Sequence, residues 1–220
     1  MHRLGKVKIE WSPSFAYAIG LITTDGCLSS DMRHIDFTST DKELVATLKE
    51  CLGIDNKIGV KFRRRDQYKR NKWFRVQFGD TNFYEFLVSI GLNQRKSKRL
   101  GSLKIPNSYF GDFLRGCIDG DGTIGSFKHP ESKQPQFRIR LVSASDDFLK
   151  WVKSKVKEVL SIEGGWIYNS GIPVLSYGKS DSIKIVRFIY RDENCPCLLR
   201  KYNVAKALWA SGGTGYTRAA

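Results

Sequence analysis

Histidine is scarce: three residues in a chain of 220, forming no cluster. A metal centre built on imidazoles is therefore not expected. No apolar run reaches the roughly 18 residues of a membrane span, and the opening stretch MHRLGKVKIEW lacks the apolar core of a secretory signal. The expectation is a soluble, intracellular protein with no membrane partner, in cytoplasm, nucleoid or an organelle matrix according to its host. The five cysteines, Cys27, Cys51, Cys117, Cys195 and Cys197, are an odd number. A chain of this size needs no disulfide staples, so they read as reduced thiols. The Cys-Pro-Cys run has neither the two-residue gap nor the second ligand pair of a structural zinc site.

Acidic residues are also few relative to basic ones, 22 against 37, which leaves a net charge of +15. Such an excess favours a polyanionic partner, because each neutralised phosphate releases condensed counterions. Charge alone does not choose between DNA and RNA. With 41% hydrophobic residues, the chain can bury one or two compact cores.

The most informative feature present is an internal repeat. FAYAIGLITTDG (Phe15 to Gly26) and FLRGCIDGDG (Phe113 to Gly122) are both apolar, helix-like stretches with a central glycine, Gly20 or Gly116, and an Asp-Gly end. Ser12 is expected to cap the first helix, Pro13 suits its first position, and Gly26 is expected to stop it in a left-handed turn. Asn107 or Ser108, after Pro106, opens the second. Downstream, DFTSTDKELVATLKECLG from Asp36 matches LVSASDDFLKWVKSKVKEVL from Leu141: a strand, an Asp-rich cap and an amphipathic helix. Thr40 and Glu43 have the spacing of a capping box. Alternating segments then end at Gly79 and Gly178, each before another helix. Asp25 lies 54 residues before Gly79, and Asp121 lies 57 before Gly178.

Two copies so closely in step imply duplication. The expected fold is mixed α/β, with two pseudo-symmetric halves of helix, two strands, helix, two strands, helix. The halves are placed at residues 1–93 and 108–220, joined by a linker at 94–107 that is rich in charge with Gly and Pro.

These residues resemble the LAGLIDADG homing endonuclease family. The motif falls on Ala18 to Gly26 as AIGLITTDG and on Leu114 to Gly122 as LRGCIDGDG; the first departs at Thr23 and Thr24 but keeps the aspartate at the eighth position. KSKRLGSLKIPNSYFGDFLRG, YGKSD at Tyr177 to Asp181 and LLRKY before Asn203 carry further similarity, so the resemblance runs from about Phe15 to Leu208. No flanking splicing domain is evident, which favours a free-standing enzyme over an intein.

The resemblance implies a monomeric, intron-encoded type of enzyme with a DNA-binding saddle of β-sheets. The two motif helices would pack together, with Gly20 and Gly116 allowing close approach, and carry Asp25 and Asp121 to the catalytic centre. Like charges at two helix C-termini repel. A divalent cation resolves this, and oxygen ligands suit Mg2+. Asp25 and Asp121 are the expected ligands of two or more Mg2+ ions, with the backbone carbonyls of Thr24 and Gly120 as auxiliaries; Mn2+ is expected to substitute. The outcome would be one cut per strand with short 3′ overhangs. Lys179 in YGKSD resembles the active-site lysine of the family, whereas Asp80 occupies the matching place in the first half.

Strand alternation separates a core face from a groove-reading face. Phe74, Val76 and Phe78 alternate with Trp73, Arg75 and Gln77, and Phe137, Ile139 and Leu141 alternate with Arg138 and Arg140. Arg33, Lys61, Arg63, Arg65, Arg70, Arg75, Gln77, Arg138 and Arg140 are the expected contacts to double-stranded DNA, through chemistry that pairs Arg with guanine and Gln with adenine. The halves differ at these positions, so a non-palindromic site is expected. An ordinary Asp-Gly helix end explains either motif singly but not their duplication. A calcium loop from Asp119 fails because Ile124 occupies the tight-turn position and Pro130 the twelfth. An RNA maturase or a DNA-binding regulator without cleavage explains charge and fold equally well, but has no need of paired carboxylates. A protein-interaction module leaves those carboxylates unexplained.

Overall fold

The computed structural model describes residues 5–62, 72–129 and 132–211. The first half runs α1 (Pro13–Asp25), β1 (Gly26–Leu28), β2 (His34–Ser39), α2 (Lys42–Leu52), β3 (Gly59–Phe62), β4 (Lys72–Gly79) and α3 (Thr81–Ser89). The second repeats the order as α4 (Phe110–Asp121), β5 (Gly122–His129), β6 (Ser132–Val142), α5 (Asp146–Leu160), β7 (Trp166–Asn169), β8 (Pro173–Tyr177) and α6 (Lys179–Ile189), and a further helix α7 (Leu199–Ser211) follows. Each half holds one antiparallel four-stranded sheet. The strand orders, β1-β2-β4-β3 and β5-β6-β8-β7, are the same.

The expected fold class holds, and the strand register makes the repeat exact in topology. Gly26 pairs with Phe37, which pairs with Val76; Gly122 pairs with Leu141, which pairs with Leu175. Counting on from Val76 and Leu175 makes Gly79 and Gly178 equivalent.

Local signals explain most helix ends. Ser12 accepts from the Phe15 amide at 3.1 Å with Pro13 at the first position of α1, as expected. Two expectations fail. Gly26 has φ −82°, not a left-handed turn. Its glycine is required by crowding, since a methyl there would lie 2.8 Å from the Ile22 Cα. The capping box at Thr40 is absent: Asp41 holds the cap position of α2, with no side-chain capping bond.

Every residue of α1 from Phe15 to Thr23 and of α4 from Phe110 to Asp119 is buried. A helix apolar on all sides belongs inside, and these two pack along each other at the centre of one core that spans both halves. Glycine decides how closely. A methyl on Gly20 would overlap the Phe113 carbonyl oxygen, and one on Gly116 would overlap that of Tyr17. The segment between the halves is packed rather than loose: Leu100, Leu103 and Ile105 are buried, and the Leu100 carbonyl accepts from the Ser145 hydroxyl at 2.5 Å.

Among the described residues, no helix is long and apolar enough to cross a membrane. All five cysteines are free.

Candidate active site

Each sheet begins at the residue after a motif aspartate, so the C-termini of α1 and α4 deliver Asp25 and Asp121 to the points where the two sheets start. The two ends touch. A methyl on Gly120 would lie 2.9 Å from Asp25 Oδ2 and would overlap Thr24 Oγ1. Burial, then the neighbouring Asp121 charge, pushes the Asp25 carboxyl up to about 7, against the pull of Lys96 and Lys201. Burial pushes Asp121 upward too, and the same two lysines oppose it.

Those lysines are the site residues that the sequence reading missed. Lys96 Nζ donates to the carbonyl oxygens of Thr23 at 2.6 Å and Thr24 at 2.9 Å. Lys201 Nζ donates to those of Ile118 at 2.7 Å, Asp119 at 2.8 Å and Gly122 at 2.8 Å, with Gly120 at 3.5 Å. An ammonium at a helix C-terminus satisfies orphan carbonyls and opposes the negative dipole end. Both lysines are buried, and burial lowers both pKa values, that of Lys201 to about 8. A signal existed: Lys96 opens KSKRL and Lys201 lies in LLRKY, two of the segments that carried the family resemblance, and an arginine precedes each lysine.

Lys179 stands exposed at the start of α6, while the lysine charges acting on Asp25 and Asp121 are those of Lys96 and Lys201. Its counterpart Asp80 is buried and structural. It caps α3 through the Phe83 amide at 3.0 Å and anchors the amides of Lys6 and Val7 at 2.5 and 2.9 Å.

The expected auxiliary carbonyls of Thr24 and Gly120 face these ammonium groups rather than open space. The two carboxylates, oxygen donors both raised in pKa by burial and Asp25 also by the Asp121 charge, remain a fitting pair for a hard divalent cation. Among the described residues there is no group of three or more His, Cys, Asp or Glu that could hold a metal by itself. A cation here would have to complete its shell with water or phosphate oxygens, which Mg2+ favours. A groove of about 610 Å³ opens beside Asp121, lined also by Thr123, Arg200 and Lys201.

A second layer of polar residues fixes α4. Arg115 is fully buried, paired with Asp112 at 2.9 Å, and it donates to the carbonyls of Ile189 at 2.6 Å and Pro196 at 2.8 Å. Asp119 accepts from the Tyr17 hydroxyl and the Leu198 amide, both at 2.8 Å, which ties α1 and the approach to α7 onto α4.

The expected nucleic-acid face divides as the alternation requires. Phe74 is half-buried and Val76 and Phe78 are buried, while Gln77 is exposed and Trp73 and Arg75 are half-exposed; Phe137, Ile139 and Leu141 are buried while Arg138 and Arg140 are half-exposed. Arg75 is ion-paired with Asp36 on the neighbouring strand. Arg138 stacks on the Trp166 ring at 5.5 Å. Lys61 and Arg33 are exposed, the first on β3 and the second just before β2. Arg63, Arg65 and Arg70 lie outside the described residues.

Residues 12–91 match the family model described as a LAGLIDADG-like domain. No curated protein matches the chain. Among solved structures, full-length DUF199/WhiA from Thermatoga maritima is similar with a TM-score of 0.57 at 14% identity, over 96% of this chain and 64% of that one. This chain thus spans somewhat under two thirds of that protein. The LAGLIDADG meganuclease I-AabMI, solved bound to uncleaved DNA, gives 0.55 at 15% identity, over 91% of this chain and 90% of that one. The homing endonuclease I-DmoI, as mesophilic variants, gives 0.52 at 18% identity, over 84% and 94%. Residues 12–91 thus match a LAGLIDADG-like domain, and the chain as a whole has the two-domain fold of these LAGLIDADG structures.

Proposed function

We propose that this protein is a site-specific, metal-dependent endonuclease of the homing type, which cuts both strands of a long, non-palindromic double-stranded DNA site and leaves short 3′ overhangs. In this reading residues 1–93 and 108–220 each read half of the site, 94–107 join them, and the chain acts as a monomer. The observation that carries it is the convergence of Asp25 and Asp121 with Lys96 and Lys201 at the C-terminal ends of the two central helices. Paired, mutually repelling carboxylates destabilise a protein that only binds, and they are explained by a cation. Complexes of I-DmoI with DNA in the presence of magnesium and with manganese support the same cation class.

Asp25 and Asp121 would hold Mg2+ or Mn2+, which when bound supplies Lewis-acid stabilisation of the reacting phosphate oxygens. The protein's own residues do the rest. Lys96 and Lys201 fix the helix ends and place positive charge beside the phosphates, where developing negative charge is stabilised. The arginines and Gln77 on the outer sheet faces position the duplex and read base edges. The +15 charge draws the duplex in.

Incubation with a randomised duplex library and Mg2+, followed by sequencing of the ends, tests this reading. Double-strand ends at one recurrent site are expected. Tight binding with no ends, in Mg2+ or Mn2+, would instead identify a regulator that has kept the fold without the reaction.

A further inference from the structure

Three of the five thiols meet at a place the proposed nuclease site does not use. Cys51 of α2, together with Cys195 and Cys197 from the stretch between α6 and α7, lines an open groove of about 420 Å³ with Glu50 and Asn194 at its sides. Cys195 and Cys197 are each half-buried and both line this groove, so small molecules reach them side by side. Only Pro196 separates them.

This short stretch is also the strap that holds α7. The Pro196 carbonyl accepts from Arg115 Nε at 2.8 Å, and the Leu198 amide donates to Asp119 at 2.8 Å. Lys201, three residues on from Leu198, then reaches the carbonyls at the end of α4.

We propose that Cys195 and Cys197 form an oxidisable dithiol, a modification site for hydroperoxides, whose closure to a disulfide loosens the strap and withdraws Lys201 from the end of α4. The chemistry balances. The Cys195 thiolate attacks one oxygen of the hydroperoxide, the O–O bond breaks, and the leaving oxygen departs as water or alcohol after taking a proton. The resulting sulfenic acid is attacked by the Cys197 sulfur, which loses its proton while hydroxide leaves as water. Two electrons pass from the two sulfurs to the peroxide bond, and a dithiol reductant reverses the change.

Several observations order the roles. The hydrogen bond from Cys197, aided by the Arg115 charge and opposed by burial, brings the Cys195 thiol down to about 7, whereas Cys197 is pushed up by that bond and by burial. Cys195 is thus the attacking sulfur and Cys197 the resolving one. Burial raises Cys51 to about 12, which leaves it inert beside them. A disulfide needs an S–S separation of about 2.05 Å, far shorter than the contact of two unbonded sulfurs, and both thiols are free. Pro196 has a fixed φ, so the backbone rotation falls on Cys195 and Cys197. Those are the residues flanking the carbonyl held by Arg115 and preceding the amide held by Asp119.

The formation of the disulfide stands independently of the nuclease reading, while its effect on cleavage rests on that reading. The test uses the full chain, reduced or treated with hydrogen peroxide, followed by peptide mass mapping and amide hydrogen exchange. A Cys195–Cys197 disulfide is expected while the exposed Cys27 remains unpaired, with faster exchange across 199–207 that dithiothreitol restores. DNA cleavage should fall by about a hundredfold on oxidation, the scale of losing one preorganised charge, and Cys195→Ser should cleave at the reduced rate and ignore peroxide. Preferential oxidation of Cys27, a disulfide that includes Cys51, or a Cys195–Cys197 bond with unchanged exchange in α7 overturns the proposal. If the reduced protein cleaves no DNA, the nuclease reading fails, and mapping with exchange still decides the dithiol.

Discussion

Lys96 Nζ lies 2.9 Å from the carbonyl oxygen of Thr24, the residue before the first motif aspartate. Lys201 makes the corresponding contacts at the end of α4, so each motif helix ends against a buried lysine brought in from outside the motif. Lys96→Met and Lys201→Met should each lower cleavage by about a hundredfold, with DNA binding reduced far less. Lys179→Met, at an exposed position at the start of α6, should leave single-turnover cleavage nearly unchanged. A time course resolving nicked from linear duplex checks this; a strong effect of Lys179→Met alone would make Lys179 the active-site lysine instead.

Gly20 and Gly116 set the spacing of the central helices, and a methyl on Gly116 would lie 3.0 Å from the Gly20 Cα while overlapping backbone oxygen. Backbone cannot move aside as a side-chain tip can. Gly116→Ala should destabilise the fold by about 1–3 kcal/mol or more, the range for overpacking, read as a lower midpoint in urea at unchanged slope. A neutral result would mean that the helices are free to separate.

Burial, then the Asp121 charge, lifts the folded Asp25 carboxyl to about 7, well above the 3.8 of a free aspartate. A raised carboxyl works in the unusual direction. Between about pH 4 and 7 the folded state holds a proton that the unfolded chain has released, so rising pH removes stability over that window. Asp25→Asn lacks this group. In metal-free buffer, the stability of the variant relative to the parent should therefore increase as pH goes from 4 to 8, and saturating Mg2+ should narrow the gap by binding the parent alone. Thermal denaturation at several pH values, with and without Mg2+, measures it; a constant difference would contradict the upward shift of Asp25.

Arg75 is held by Asp36 on the adjacent strand, so its guanidinium is oriented before any ligand arrives. Arg75→Ala should relax preference at one base pair by about 1–3 kcal/mol with little change in salt slope. Asp36→Asn should weaken the same discrimination while strengthening non-specific binding, since it removes a negative charge from the outer face. For the parent, affinity should drop by about a thousandfold or more between roughly 50 and 200 mM salt if six phosphates are contacted. Competition binding against single-base variants of the recovered site separates these effects.

The parts of the fold legible in the sequence were those written locally and written twice. The Asp-Gly helix ends, the alternation through Phe74, Val76 and Phe78, and the offsets to Gly79 and Gly178 gave both halves and their element order. Missed were features that depend on distant chain meeting. Lys201 reaches Ile118 across 83 positions, and Lys96 reaches Thr23 across 73. The charges of Arg115 and Asp119 look out of place in an apolar helix until Pro196, Leu198 and Tyr17 arrive to satisfy them. Sheet register does make Lys179 equivalent to Asp80, yet the two are placed differently: Asp80 is buried and caps α3, whereas Lys179 is exposed and opens α6.

The central claim is that Asp25 and Asp121 act as a pair that cuts both strands with a divalent cation. Its most direct measurement is the cleavage of one recovered duplex site by the parent, Asp25→Asn and Asp121→Asn in Mg2+, with binding followed in Ca2+. The account predicts that the parent linearises the site, while each variant binds with little loss and yields no linear product. Full double-strand cleavage by Asp121→Asn would contradict it.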